Sequence, residues 1–108
     1  MWYAVSLFYK SVHTPPESKP TLWEESVRLI QAATEEEARN LAENIGRSGA
    51  HNYEVEDGTV DWTFEGVEQV FLILDAELRN GSEVFSRFLK DSEVKSLRTR
   101  FGDETLDR

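Results

Sequence analysis

Between Val60 and Leu74 the chain carries its longest apolar-rich run, and the run changes character half way along. Val60, Trp62 and Phe64 alternate with Asp61, Thr63 and Glu65, the pattern of a strand with one buried face. From Val70 to Leu74 every position is apolar, the pattern of a strand covered on both faces. Gly66 interrupts the alternation, which predicts a bulge or a close backbone approach. The run therefore reads as the central strand of a sheet.

Upstream, Tyr3, Val5, Leu7 and Tyr9 fall on one side of a first strand, and Trp2, Ala4, Ser6 and Phe8 on the other. The loop from Thr14 to Pro20 follows, and proline's fixed φ and missing N–H stop strand and helix alike. A second strand spans Leu22 to Ala32, with Trp23, Val27 and Leu29 on one face. Matching apolar to apolar sets Leu7 opposite Val27 and Val5 opposite Leu29, which puts Glu25 opposite Tyr9 on the core face.

Thr34 followed by Glu37 makes a capping box that opens a helix, and Glu35 and Glu36 suit the positive end of its dipole. Ala38, Leu41, Ala42 and Ile45 form a narrow apolar stripe suited to close packing on a sheet. Gly46 or Gly49 is expected to end the helix in the left-handed conformation. Asp57-Gly58 predicts a hairpin that sets Val55 opposite Val60 and Tyr53 opposite Trp62. Asn80-Gly81 predicts a second hairpin leading into a strand over Glu83–Leu89. From Asp91, Val94, Leu97 and Phe101 recur at helical spacing with Gly102 as a stop, and Thr105 to Arg108 is expected to fray.

These elements predict an α+β domain: an antiparallel sheet of about five strands in the order β-β-α-β-β-β, with one main helix on one face and a short C-terminal helix. Residues 1–90 form the domain. Residues 91–108 are expected to form a helical segment or tail that packs on it or on a partner.

Four short stretches in this order resemble the bacterial family called domain of unknown function 4288. They are Trp2–Val5, Leu22–Ser26, Glu35–Ala38 and Glu83–Phe88. The resemblance covers most of residues 2–89. It implies a small bacterial α+β protein and carries no activity.

Composition narrows the function further. The net charge is −9, and it is uneven: residues 1–86 carry 6 basic and 16 acidic side chains, residues 87–108 carry 6 and 5. Such a body repels phosphate backbones, which disfavours nucleic acid and favours a basic protein partner or a cation. Acidity that merely keeps the protein soluble explains the same numbers. The chain has no cysteine, so disulfides, thiolate metal sites and a cysteine nucleophile are excluded, and the cytoplasm is the expected compartment. The apolar start Trp2–Tyr9 lacks a basic lead-in and a cleavage site, so it reads as a strand, not a signal peptide. No apolar run approaches the roughly 20 residues that span a bilayer.

No catalytic constellation stands out. Glu24 and Glu25 are adjacent and point to opposite faces of a strand, so they do not act as a carboxylate pair. The serines lack a Gly-x-Ser-x-Gly context. His13 and His51 match no compact ligand spacing, so no metal and no cofactor is expected. The candidate binding residues are Tyr9, Trp23, Glu24, Glu25 and Arg87, with Glu25 and Arg87 either a pocket or a structural ion pair. One helix does not cover both faces of the sheet, so Trp2, Phe8, Phe71, Ile73, Val94, Leu97 and Phe101 are candidate interface residues. The cover is the C-terminal segment, a second copy of the chain or another protein.

The leading reading is a non-enzymatic acidic interaction module, either a homodimer or an immunity-like or antitoxin-like binder of a basic protein. A small enzyme or ligand-binding domain with a pocket near Glu25, Tyr9 and Arg87 is the second. A structural subunit of a larger assembly is the third.

Overall fold

The computed structural model describes residues 1–99. The elements run β1 (Trp2–Thr14), β2 (Trp23–Gln31), α1 (Glu35–Ser48), β3 (His51–Val55), β4 (Gly58–Ile73) and α2 (Asp91–Arg98), with a 3-10 turn at Pro16–Ser18. The fold is α+β, and the antiparallel sheet has four strands in the order β2-β1-β4-β3. Phe101 and Gly102 lie outside the described residues.

β1 is the spine of the sheet, paired along its length with β2 on one side and β4 on the other. Its odd positions Tyr3, Val5, Leu7 and Tyr9 are buried with Ile30, Ala32, Ala38 and Ala42, and Trp62, Phe64, Val67 and Val70 pack against them. α1 covers this face. Thr34 Oγ1 accepts from Glu37 N–H at 3.1 Å, while the Glu37 carboxylate accepts from Ala33 N–H at 3.3 Å, one residue before the cap. The capping chemistry is thus the expected kind, with its return bond displaced by one position.

The two helix glycines serve close packing, not a left-handed turn. Gly46 is buried within α1, and a Cβ there would enter the Phe64 ring. Gly49 ends the helix at φ −82°, and a Cβ on it would meet the Tyr9 hydroxyl. Tyr9 Oη donates to Gly46 O at 2.9 Å, which satisfies one of the carbonyls left free at a helix end.

β4 contains two bulges. Its register against β1 shifts between Ser6 and Leu7 and again between Phe8 and Tyr9, leaving Glu68 and Glu65 as the extra residues. Both glutamates are exposed. Gly66 between them has φ +133°, a backbone conformation open to glycine. Each bulge stretches the inward spacing from two residues to three, so Phe64, Val67 and Val70 meet Tyr9, Leu7 and Val5 in turn.

Three expectations are corrected. β2 pairs with β1 one residue away from the expected register, with Leu7 opposite Ser26, Val5 opposite Arg28 and Tyr9 opposite Glu24. A one-residue slip exchanges the faces, so Ile30 is buried and Trp23, Val27 and Leu29 stand exposed. The β3–β4 hairpin turns on Glu56-Asp57, with Val55 opposite Gly58 and Tyr53 opposite Val60. That shift is two residues and keeps the faces. A Cβ on Gly58 would strike the Thr14 carbonyl, so the glycine belongs to the strand contact.

The third correction is the fifth strand. Glu83–Leu89 joins no sheet. After a turn in which Arg79 O accepts from Ser82 N–H at 3.0 Å, the chain crosses the second face of the sheet as a strap. Phe85 tilts against Phe71, with ring centroids 5.9 Å apart. Gln69 Nε2 donates to Ser86 O at 3.2 Å, and Arg87 reaches Glu25 on β2. The alternation in the sequence does mark extended chain, but its inward residues Phe85 and Arg87 lie over part of one face of the sheet.

Candidate functional site

The second face, under and beside the strap, holds most of the chemistry-bearing residues singled out from sequence. Ser6 is fully buried there, and its hydroxyl donates to Glu25 Oε2 at 2.5 Å. Arg87 Nη1 lies 3.4 Å from Glu25 Oε1, with side chains 35% and 29% exposed. Glu25 is thereby held on both oxygens, by a hydroxyl from β1 and a guanidinium from the strap. The cluster works as a clasp that ties the strap to β2, and both charged side chains stay partly exposed to solvent.

Tyr9 is absent from this cluster. Parity puts it on the α1 face, buried and bonded to Gly46. A pocket shared by Glu25, Tyr9 and Arg87 is therefore not formed, because the sheet stands between Tyr9 and the other two. Glu24 shares the Tyr9 side of β2 and is exposed.

Trp23 is 57% exposed at the start of β2. Phe8 meets it edge-on at 6.1 Å between centroids, and Lys10 Nζ sits 5.6 Å from its ring centre. Val27 and Leu29 continue the same face at 49% and 53% exposed. Together they make an apolar stripe along an edge strand.

Of the expected interface residues, Ile73 is buried, Phe71 is half-buried beneath Phe85, and Trp2 is partly exposed. Val94 and Leu97 on α2 are exposed, and no α2 residue is buried. In the half of β4 from Val70 onward the strap therefore meets Phe71, while Leu72 stays exposed and no residue of the described part of the C-terminal helix is buried. Sequence reasoning missed Ser6, whose signal was a lone serine on the sheet face that carries Glu25.

The surface concavities are open grooves. One lies between the strap and α2, lined by Arg87, Leu89, Glu93 and Leu97. Another is bordered by Arg28, Asn44, Ile45 and Ser48. Among the described residues no group of three His, Asp or Glu side chains is placed to hold a metal ion. His13 is buried with Nδ1 unpartnered, and His51 starts β3 with its ring nitrogen 2.9 Å from Gly49 O. Among the described residues no helix is long and apolar enough to cross a membrane.

The chain belongs to the family described as domain of unknown function DUF4288, whose model matches residues 2–86. The match takes in the whole sheet and α1 and ends within the strap, one residue before Arg87. Neither a curated protein nor a solved structure matches it.

Proposed function

We propose that this DUF4288 domain is a non-enzymatic interaction module that self-associates through the β2 side of its sheet. The observation that carries the reading is the exposure of Trp23, Val27 and Leu29 on one face of an edge strand. An edge strand presents unpaired N–H and C=O groups, and natural sequences normally guard it with proline, lysine or a bulge. β2 has none of these over Trp23–Gln31, its charges Glu24, Glu25 and Arg28 are of both signs, and its pairing with β1 runs without a register shift.

The polar constellation supports the same reading. Ser6 and Arg87 both engage Glu25 and tie the strap to β2, which assigns them a role in the fold. A second reading, binding of a basic protein partner, is favoured by the net charge of −9 and by the exposed Glu35, Glu36 and Glu37 on α1.

Sedimentation of the pure protein over a range of concentrations tests the first reading. A dimer that dissociates on dilution is the expected result. A monomer at every concentration, including the millimolar range, counts against it. Salt-sensitive capture of a basic protein by that monomer would then favour the second.

A further inference from the structure

The backbone of β2 fixes which of its residues face the free edge. Ala32 donates to Met1 O at 2.9 Å and accepts from the Met1 amino group at 3.0 Å, so its main-chain groups point at β1. Leu22 O accepts from Ser11 N–H at 2.8 Å at the other end. Between these points the register is continuous. Even-numbered residues of β2 therefore bond inward, and Trp23, Glu25, Val27, Leu29 and Gln31 present N–H and C=O to solvent.

Glu24 and Arg28 lie on the α1 side of this strand, and neither is in an ion pair among the described residues. They are four residues apart along one strand, about 13 Å, so they do not reach each other within one chain. A two-fold axis through Ser26 would bring Glu24 of each copy opposite Arg28 of the other.

We infer that two copies of this chain pair antiparallel through their β2 edges, with Ser26 on the two-fold axis, Glu24 facing Arg28 of the second copy and Trp23 facing its Leu29. This rests on the self-association proposed above and specifies its edge and register. The pairing makes one continuous sheet with about eight new main-chain hydrogen bonds, from the Glu25–Val27 and Trp23–Leu29 pairs. Both copies of α1 lie on the same side of it.

Charge selects this register from its neighbours. An axis through Glu25 sets two carboxylates face to face, and an axis through Arg28 sets two guanidinium groups face to face. An axis through Val27 pairs Glu24 with Ile30 and Glu25 with Leu29. Only the axis through Ser26 pairs opposite charges twice and covers Trp23 with an apolar partner. For a chain of net charge −9, approach of a second copy is repulsive at long range, so two local ion pairs matter to which register forms.

Two experiments on the full chain test it. The protein has no cysteine, so Ser26→Cys and Val27→Cys each carry one thiol. Opposed residues in a non-hydrogen-bonded antiparallel pair have Cα atoms about 4.5 Å apart, within disulfide range. Under a mild oxidant Ser26→Cys should cross-link into a dimer and Val27→Cys should lag well behind. Faster cross-linking of Val27→Cys would overturn the register. Separately, Glu24→Arg and Arg28→Glu should each weaken association roughly tenfold, and the double variant should restore it. A wild-type dimer insensitive to both reversals overturns the edge pairing while leaving self-association standing. A wild-type monomer at all concentrations overturns both.

Discussion

The sheet has two long free borders, and they are built differently. Beyond its short pairing with β3 at residues 58–62, the outer side of β4 carries two bulges, the exposed Glu65 and Glu68, and Gly66 at φ +133°. Bulges, charges and twisted glycine segments are the devices that stop a strand from pairing with a stranger. β2 has a regular register, no glycine or proline, charges of both signs at Glu24, Glu25 and Arg28 in place of the like-charged Glu65 and Glu68, and three exposed apolar side chains on one face. One border is closed by its own sequence, and the other is left able to pair.

The largest effect should come from the strand that both borders share. Leu7 is fully buried in β1, so Leu7→Ala should lower stability by about 2–5 kcal/mol in a denaturant titration. A loss under about 1 kcal/mol would mean that β1 is not the spine of the core.

Proline separates the two sides of β2. Ser26→Pro removes an N–H that bonds to β1 and should destabilise the monomer by roughly 2–3 kcal/mol. Val27→Pro removes an N–H that faces outward, where proline is tolerated. It should leave the monomer close to wild-type stability while abolishing the dimer in sedimentation. Equal destabilisation by both would contradict the assigned direction of the β2 amides.

Gly66→Val tests the guarded border. It forces a β-branched residue to φ +133° and should destabilise the fold by about 1–3 kcal/mol without increasing self-association. A gain in association would show that the bulges do not guard the edge. The smallest effect should be at the strap. Glu25 and Arg87 are about one-third exposed, so Arg87→Ala should lower stability by no more than about 1 kcal/mol after solvent screening. Its dimerisation should change far less than in the Glu24 and Arg28 reversals, since Arg87 itself pairs with no residue of the second copy in the proposed register.

Much of this architecture was legible in the chain. Thr34 and Glu37 marked the start of α1, the buried parity of Tyr3 to Tyr9 marked β1, and Gly66 marked the break in β4. The spacing of Phe64, Val67 and Val70 at three residues was also a readable sign of two bulges, since each adds one residue to a period of two. The register of β2 was not legible. Its apolar parity, Trp23, Val27 and Leu29, points away from the core because Ala32 must bond to Met1 and only Ala32, Ala33 and Thr34 lead into α1. That short connection sends Ile30 and Ala32 inward. A strand whose apolar face is turned outward conflicts with the monomer and agrees with a dimer.

The strap was legible as extended chain but not as to its place. Phe85 and Arg87 share a parity, as they would in a strand or in a segment lying across a sheet. What decides is the far partner: Phe71 and Glu25 sit on different strands, so one segment meets both only by crossing the strands. The candidate site followed from the same slip. Moving β2 by one residue took Glu25 away from Tyr9 and placed it beside Ser6 and Arg87.

The central claim is that β2 is an open edge that pairs with itself, and amide hydrogen exchange as a function of protein concentration tests it most directly. The outward amides of Glu25, Val27 and Leu29 should exchange quickly in dilute protein and slow markedly as the dimer forms, while the amides on the outer side of residues 64–73 stay fast throughout. Fast exchange at Glu25, Val27 and Leu29 at every concentration would contradict it.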